Sequence, residues 1–312
     1  MIVPVERDGR DRRILLKSGR PDLAEVYLAH MRGDRKYLVE FVDACAVAGG
    51  DRREKWVIII STQFGCPAGC LMCDAGGGYL GDLTADEMLW EIRTVVEAHP
   101  ELDPRACRKF KVQFARMGEP SLNEAVLDVI RRLGKEYPNC IPCVATLAVA
   151  GREAWFKELL DLREGFRDLQ LQFSMNTTDT ALRDELMPIG KMSFDRIARY
   201  GEAFYRPGSR KPSLNFAVSD SLPLDPGVVA RTFDPERFVI KLTPLNPTQS
   251  ARDNELVSLD GPGGDASLLD RRTEQFRALG YEVVCSIGDW EENRIGSNCG
   301  QLAARSARED IS

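Results

Sequence analysis

Apolar and polar positions alternate along this chain in a pattern that predicts strands and helices in turn. The run Val57–Ile60 is β-branched, apolar on both faces and too short for a helix, which is typical of a parallel strand. Further strands are predicted at 110–115, 141–147, 169–174, 213–218, 238–242 and 281–285. Apolar residues at helical spacing predict helices at 83–98, 123–137, 154–162, 180–185, 193–204 and 266–279. At the first of these helices, Thr84 is the expected N-cap and Glu87 its capping-box partner.

Strands that alternate with helices at this spacing predict βαβ units and a parallel sheet. The expected fold is α/β, a partial (β/α)6 barrel of TIM-like type with a short N-terminal extension. Residues 1–55 form the extension, with a helix at 21–31 and a strand at 36–42. Residues 56–290 form the barrel, and residues 291–312 a C-terminal segment. In a barrel of this kind the chemistry lies at the carboxyl ends of the strands.

Composition narrows the class of protein. The chain has 312 residues, a formal net charge of −6 and 43% hydrophobic residues, which are typical of a soluble globular protein. No window approaches the roughly 20 apolar residues of a membrane span. Nine cysteines and a charged start without a targeting segment favour reduced thiols and a cytoplasmic location. The acidic balance argues against a surface that binds nucleic acid stably.

Three cysteines follow the first barrel strand at close spacing, as Cys66-Pro-Ala-Gly-Cys70-Leu-Met-Cys73. A random chain of this composition would contain about 0.007 such patterns. Three thiolates without a fourth nearby suit a four-iron, four-sulfur cluster with one open iron, whereas a closed structural zinc site requires four ligands. A zinc knuckle that borrows a distant cysteine is the alternative.

This CxxxCxxC loop at the end of the first barrel strand resembles the radical SAM superfamily. The resemblance implies that Cys66, Cys70 and Cys73 hold a 4Fe-4S cluster whose open iron binds S-adenosylmethionine (SAM). It also implies that an electron, from a donor such as flavodoxin or ferredoxin, cleaves SAM to methionine and a 5′-deoxyadenosyl radical. Met72 departs from the aromatic residue that is usual beside the last cysteine.

Four further stretches, from about residue 36 to residue 304, resemble the RlmN/Cfr family of ribosomal RNA adenine methyltransferases. They are Met117-Gly118-Glu119-Pro120, Ser174-Met175-Asn176 with 182–189 after it, Pro244-Leu245-Asn246-Pro247, and 298–303. The resemblance implies that Gly118 and Glu119 bind SAM, with the Glu119 carboxylate on the SAM ammonium. Ser174, Asn176 and Asn246 are neutral groups suited to ribose and carboxylate oxygens. Ordinary turn and capping roles are the alternative for each residue.

Cys299 is the expected catalytic residue. In the resembled family the equivalent cysteine receives a methyl group from one SAM, and a second SAM yields the radical that activates this methyl group. A second cysteine, seven residues before the cluster loop, helps to resolve the protein–substrate crosslink, and here that position is Ile59. Glu40 matches the proposed general base of the family, with a solvated strand glutamate as the alternative.

The second cysteine of the family is missing, and so is most of its N-terminal RNA-reading region. Both losses predict a substrate other than ribosomal RNA. We expect a radical SAM enzyme that modifies, and in particular methylates, a non-ribosomal small-molecule or nucleotide-like substrate. The first alternative is an RNA adenine methyltransferase in which another thiol, such as Cys45, replaces the missing one. The second is a non-catalytic metal or nucleic-acid binding module.

Other polar groups receive structural interpretations. Cys140 and Cys143 are expected to pack in the core, with a redox pair as the alternative. The basic stretches 105–111 and 206–211 are expected to be solvated faces. His30 and His99 lie in helical patterns away from the motifs, so we assign them no chemistry.

Overall fold

The computed structural model describes residues 11–45, 49–259, 265, 267–286, 295 and 302–303 of the chain. The strands within them are β1 (Arg13–Arg20), β2 (Ala24–His30), β3 (Leu38–Cys45), β4 (Trp56–Ile60), β5 (Gln63–Cys66), β6 (Gly77–Asp82), β7 (Phe110–Phe114), β8 (Cys140–Thr146), β9 (Gln170–Ser174), β10 (Ser213–Val218), β11 (Val239–Pro244) and β12 (Glu282–Cys285). The α-helices are α1 (Ala85–Glu97), α2 (Ala125–Glu136), α3 (Glu153–Leu162), α4 (Thr180–Leu186), α5 (Phe194–Phe204), α6 (Pro226–Thr232), α7 (Gln249–Asp253) and α8 (Ser267–Ala278). None of these helices is long and apolar enough to cross a bilayer.

A ten-stranded sheet runs through the described residues in the order β1-β2-β3-β4-β7-β8-β9-β10-β11-β12. From β4 to β12, neighbouring strands in this order pair in parallel. At least one helix lies along the chain between each strand and the next of this parallel set. The six predicted barrel strands are therefore present, and the late strand predicted at 281–285 extends the parallel set as β12. This confirms the α/β partial barrel.

Alternate residues of the parallel strands lie in two different environments. On β7, Phe110, Val112 and Phe114 are fully buried, whereas Gln113 on the opposite face is half-buried. The strands β9 and β10 show the same alternation. Because alternate strand residues point to opposite faces, the apolar face packs under the helices and the polar face lines the barrel interior. The interior of this barrel is therefore polar and partly open.

The N-terminal extension is a set of antiparallel strands, and the helix predicted at 21–31 is wrong. The strand β2 pairs with β1 and β3, and β3 pairs with β4 of the barrel. Every residue from Ala24 to Ala29 is buried, so β2 is covered on both faces. A strand of this kind has no two-residue alternation, and its apolar spacing resembles that of a helix. His30 accordingly ends a strand, not a helix.

The predicted start of α1 is confirmed. Thr84 Oγ1 accepts the N–H of Glu87 at 3.2 Å, and Glu87 Oε2 accepts the N–H of Thr84 at 2.8 Å. Arg32 Nε also donates to Glu87 Oε1, at 2.8 Å. The capping box therefore also ties the N-terminal extension to the first barrel helix.

A second buried carboxylate, Asp43 of β3, joins the extension to the barrel. It accepts hydrogen bonds from Trp56 Nε1 at 2.8 Å and from Arg52 Nη2 at 2.8 Å, and His99 Nε2 lies 2.7 Å away. Burial alone would raise the pKa of Asp43, but the hydrogen bonds with His99 and Arg52 outweigh it and the pKa is lowered. His99 thus has a structural role in this network, consistent with the absence of any assigned chemistry.

Removing this carboxylate should destabilise the fold. We expect Asp43→Ala to lower the free energy of unfolding by about 3–5 kcal/mol, because Arg52 is left half-buried without its counter-ion. Asp161→Ala is the matched control, since Asp161 and its partner Lys157 are both exposed and a surface ion pair contributes little to stability. Urea unfolding measures both, and equal losses in the two variants would contradict a structural role for the Asp43 network.

Candidate active site

The three cysteines lie on a hairpin loop at the carboxyl end of β4. The strands β5 and β6 pair antiparallel with Cys66 opposite Gly77, so the loop between them is closed at its base. Gly65 has a φ of +70°, and a Cβ there would lie 2.5 Å from the carbonyl oxygen of Gly78. Only glycine permits this approach, so the cysteine loop depends on Gly65 for its shape.

The thiols of this loop are shielded from water. Cys66 is buried, and Cys70 and Cys73 are half-buried. Burial raises the pKa of Cys66 to about 11 and that of Cys70 to about 12. Thiolates at these positions therefore require nearby positive charge, which bound metal ions supply.

The spacing of the sulfurs bears on the kind of metal site. Among the described residues, the three cysteines do not form a group whose ligand atoms all lie within 4.8 Å of one another. A tetrahedral zinc ion holds its sulfurs about 2.3 Å from the metal, and therefore about 3.8 Å apart. The three thiols of the loop are therefore not arranged around a single zinc ion in this structure.

The described residues contain one compact group of potential ligands, Glu25, Asp43 and His99. Arg52 and Trp56 already donate to the Asp43 carboxylate, at 2.8 Å each. A guanidinium therefore supplies the positive charge that a metal ion would bring, and this group is a salt-bridge network.

The segment after β11 contacts the cysteine loop from the other side. Thr248 Oγ1 donates to the Met72 carbonyl oxygen at 2.8 Å. The Asp74 carboxylate accepts the N–H groups of Gln249 and Ser250, at 3.2 and 2.8 Å, where α7 begins. These bonds fix the loop against the last part of the barrel. The sequence analysis missed Asp74 and Ser250, because their spacing along the chain matches no local motif.

Gly118 and Glu119 follow β7 and lie beside β5. Gly118 has a φ of +100°, and a Cβ there would lie 2.5 Å from Thr62 Oγ1. The N–H of Glu119 donates to Gln63 Oε1 at 2.8 Å. The turn after β7 is thus held directly against the chain that leads into the cysteine loop.

The Glu119 carboxylate is buried and accepts four hydrogen bonds from the chain itself. The donors are Ser121 N at 3.0 Å, Ser121 Oγ at 2.6 Å, Leu147 N at 2.8 Å, and Thr146 Oγ1. Burial raises the pKa of Glu119, and these donors oppose that rise. Glu119 therefore joins the loops after β7 and β8, while its contact with the SAM ammonium stays a prediction.

The three neutral polar residues lie at the ends of neighbouring strands. Ser174 ends β9 and pairs with Asn215 of β10. Asn176 is buried with a left-handed backbone, φ +63°, and its Nδ2 donates to Met187 Sδ at 3.2 Å. Asn246 follows β11. The structure brings these residues to one rim of the barrel, and their roles toward SAM stay predictions.

Asn215 belongs to the same rim and was not singled out in the sequence. Its side chain is on the half-buried face of β10, and its Oδ1 accepts from Thr243 Oγ1 of β11 at 2.9 Å. The signal was available, because an asparagine within the apolar alternation of a strand indicates a polar barrel interior.

Glu40 is fully buried in β3, so the alternative of a solvated strand glutamate is wrong. Its Oε1 lies 2.7 Å from Nε of Arg116, whose side chain is 2% exposed. Its Oε2 accepts the N–H groups of Leu302 and Ala303, at 3.0 and 2.8 Å. Glu40 thus binds the C-terminal segment to the barrel, and its role as a general base stays a prediction.

Cys299 lies outside the described residues, but residues near it in the chain border the cysteine loop. Leu302 and Ala303 share an apolar cluster with Cys73 and with Met117. Ile59, at the position of the second cysteine of the resembled family, packs in a cluster with Leu302. The described residues Leu302 and Ala303 therefore lie near the cysteine loop, and Leu302 also lies near β4.

The alternative of a Cys140–Cys143 redox pair is wrong. Residues three apart in a strand point to opposite faces. Cys140 is buried in the apolar core beneath the helices, whereas Cys143 lines the barrel interior. Both are free thiols in the structure.

The expectation that the basic stretches are solvated faces is wrong for Lys111. Lys111 is only 7% exposed and lines a cavity inside the barrel, whereas Arg210, which lines the same cavity, is exposed. Lys111 sits at an inward position of β7, between Phe110 and Val112. The alternation of apolar and polar residues in Phe-Lys-Val-Gln-Phe indicates the inward position of Lys111. A count of charges does not show it.

Comparisons with known proteins agree with this arrangement. No protein-family model matches the chain. It is 31% identical over 179 residues to the dual-specificity RNA methyltransferase RlmN of Sulfurovum sp. (strain NBC37-1), covering 52% of this chain and 48% of that protein. It is 25% identical over 268 residues to a probable dual-specificity RNA methyltransferase RlmN of Corynebacterium efficiens, covering 82% of this chain and 69% of that protein. The chain is therefore similar to RlmN-type RNA methyltransferases, as its motifs predict.

A solved structure supports the fold of this protein. A radical SAM methyltransferase from Sphaerobacter thermophilus superposes with a TM-score of 0.72 at 21% identity, covering 95% of this chain and 82% of that one. The resemblance found in the sequence is confirmed, and radical SAM methyltransferases use the two predicted cofactors, a 4Fe-4S cluster and SAM. The chain spans about half the length of the Sulfurovum protein.

Replacing any one of the loop cysteines should remove the metal. We expect anaerobically reconstituted protein to be brown and to hold about four irons per chain. Cys66→Ala, Cys70→Ala and Cys73→Ala should each lose most of this iron, whereas the control Cys107→Ala, a buried thiol elsewhere, should keep it. Iron analysis and the visible spectrum measure the result. A colourless protein with one zinc per chain would contradict the cluster.

Removing the Glu40 carboxylate should release the C-terminal segment. In Glu40→Ala the N–H groups of Leu302 and Ala303 lose their acceptor, so limited proteolysis should remove the C-terminus several-fold faster. The same variant should lose up to about 3–5 kcal/mol of stability, because the buried Arg116 loses the Glu40 counter-ion. Adding Arg116→Met should restore much of the stability without slowing the proteolysis. Unchanged proteolysis in Glu40→Ala would contradict the tether.

Proposed function

We propose that this chain is a methyltransferase of the radical SAM type. The observation that carries the proposal is that Leu302 and Ala303 belong to the same apolar cluster as Cys73. Leu302 follows Cys299 by three residues in the chain and lies near the loop whose cysteines would bind the cluster. When bound, the cluster and SAM supply a carbon-centred radical.

The residues of the chain position the reacting groups in this proposal. Cys66, Cys70 and Cys73 hold the cluster, within a hairpin fixed by Asp74 and α7. The Glu40 carboxylate anchors the C-terminal segment through the N–H groups of Leu302 and Ala303. Cys299 carries the methyl group that is transferred. A one-electron donor such as flavodoxin or ferredoxin completes the system.

The proposed substrate is a nucleotide-like small molecule. Ile59 supports a change from the chemistry of the resembled family, because no second thiol stands at this position of β4. Cys45 is a poor replacement, since it pairs with Trp56 at the opposite end of β4, about 10 Å of strand from Ile59. The protein therefore needs another means of releasing its product, or a substrate that needs none.

RNA methylation is the second candidate function. The relatives from Sulfurovum and Corynebacterium are named RNA methyltransferases, and this observation favours RNA as the substrate. The proposal of a small-molecule substrate rests on the chain's own residues. The names of those relatives do not mention such a substrate.

The Cys299→Ala variant tests the methyltransferase proposal. We expect it to keep its iron and its SAM cleavage but to transfer no methyl group, because the carbon is never loaded onto sulfur. Mass spectrometry of the peptide that carries Cys299 should show an added methyl group in the parent protein. An unmodified Cys299 after turnover, with product still formed, would contradict this role.

The Ile59→Cys variant separates the two substrate candidates. We expect no gain in methyl transfer to a ribosomal RNA hairpin, and any RNA binding should vanish at moderate salt. Ile59→Val is the control for the change in packing beside Leu302. A clear gain in RNA methylation from Ile59→Cys alone would favour the RNA substrate.

A further inference from the structure

A cavity of about 620 Å³ lies inside the barrel, apart from the cysteine loop. Its walls are the inward faces of β7 to β12 and the loop that leads into β10. This volume is typical of pockets for small molecules, which range from about 300 to 1,000 Å³. The cavity is therefore large enough for a metabolite with one or two rings.

The charges around this cavity are mainly positive. Of the described residues that line it, five are basic and one, Glu282, is acidic. The basic residues are Lys55, Lys111, Arg210, Lys211 and Lys241. Glu282 is an exposed residue on the last strand. An anion inside the barrel would therefore meet a strongly favourable potential.

Two of the lysines project from strands and have amide partners. Lys111 Nζ donates to Gln170 Oε1 at 2.8 Å, and Lys241 Nζ donates to Gln172 Oε1 at 3.0 Å. An amide oxygen satisfies one proton of an ammonium group but does not neutralise its charge. Each lysine therefore keeps donors for a ligand.

This arrangement has a cost in the free protein. Burial lowers the pKa of Lys111 and of Lys241, and burial also lowers the pKa of Lys55. Like charges placed around one pocket repel each other, and buried charges without counter-ions destabilise a fold. A function that requires these lysines would explain why the barrel tolerates them.

We propose that Lys111 and Lys241 bind the phosphate group of the substrate inside the barrel. The inference rests on the proposed function, because it assigns a chemical class to the substrate of the same enzyme. Each lysine lies three residues before the end of its strand, which is about 10 Å below the rim. Asn215 pairs with Lys241 in the sheet and so lies at the level of the phosphate. A molecule anchored there by a terminal phosphate extends toward the carboxyl ends of β7 and β11, next to the candidate SAM site.

The ligand class is thus an elongated phosphomonoester such as a nucleoside monophosphate. Its phosphate meets two lysines whose ammonium groups both reach β9, where Gln170 and Gln172 accept from them. Its other end reaches the rim where the methyl group is transferred. The enclosed position of the lysines favours a terminal phosphate over the internal phosphodiesters of an RNA chain.

Binding to the reconstituted holoprotein tests the proposal. Adenosine 5′-monophosphate is the probe, adenosine is the comparison without phosphate, and inorganic phosphate is the competitor in calorimetry. We expect the monophosphate to bind at least tenfold more tightly than adenosine, and phosphate to compete with it. Lys111→Gln and Lys241→Gln should each weaken its binding by about ten- to a hundredfold.

The control variant is Lys135→Gln, which removes one positive charge from the exposed end of α2. It should leave monophosphate binding unchanged. This control distinguishes the loss of a lysine in the cavity from the loss of any one positive charge. The two cavity variants should keep iron content and SAM binding, with an unchanged or higher melting temperature. That pattern distinguishes a ligand site from structural lysines.

Two outcomes would overturn the inference. Equal binding of adenosine and its monophosphate, or normal binding in the double variant Lys111→Gln, Lys241→Gln, would remove the phosphate site. Competition by an RNA hairpin without a terminal phosphate, lost in the same double variant, would assign the lysines to RNA. If the phosphate binds as expected but Cys299→Ala still forms product, the proposed function fails while the site stands.

Discussion

The buried ion pair between Glu40 and Arg116 is the interaction on which the candidate site depends most. Glu40 comes from the N-terminal extension and Arg116 from the turn after β7. The same carboxylate holds the N–H groups of Leu302 and Ala303. Because the loss of one buried charge leaves the other uncompensated, these three parts of the chain must keep their positions together. The extension is therefore part of the site, although it lies outside the barrel.

Much of the barrel could be predicted because its signals are local. The helix α1 was expected at 83–98 and begins at its predicted capping box. By contrast, β2 is covered on both faces by residues that are distant in the sequence, so its own pattern does not show that it is a strand. The strands β5 and β6 were also missed, since they are short, rich in glycine and built around the cysteine loop.

The residues of the candidate site also fall into those with a local sequence signal and those without one. The spacing of Cys66, Cys70 and Cys73 is local and was sufficient to predict a metal loop at a strand end. The contact between Asp74 and Ser250 joins remote parts of the chain, and no spacing rule reveals it. The inward position of Lys111 was not predicted, because the sequence does not show which face of a strand the helices cover.

The contact between α7 and the cysteine loop also limits how the protein matures. The loop at 67–76 is made early in synthesis, but its partners at 248–254 emerge only after most of the barrel. Until then the loop lacks the bonds that Thr248 and Asn254 give to the carbonyl oxygens of Met72 and Leu71. Metal loaded during translation would meet an unfinished loop. A cluster held by these cysteines is therefore expected to be inserted after the segment at 248–254 has folded against the loop.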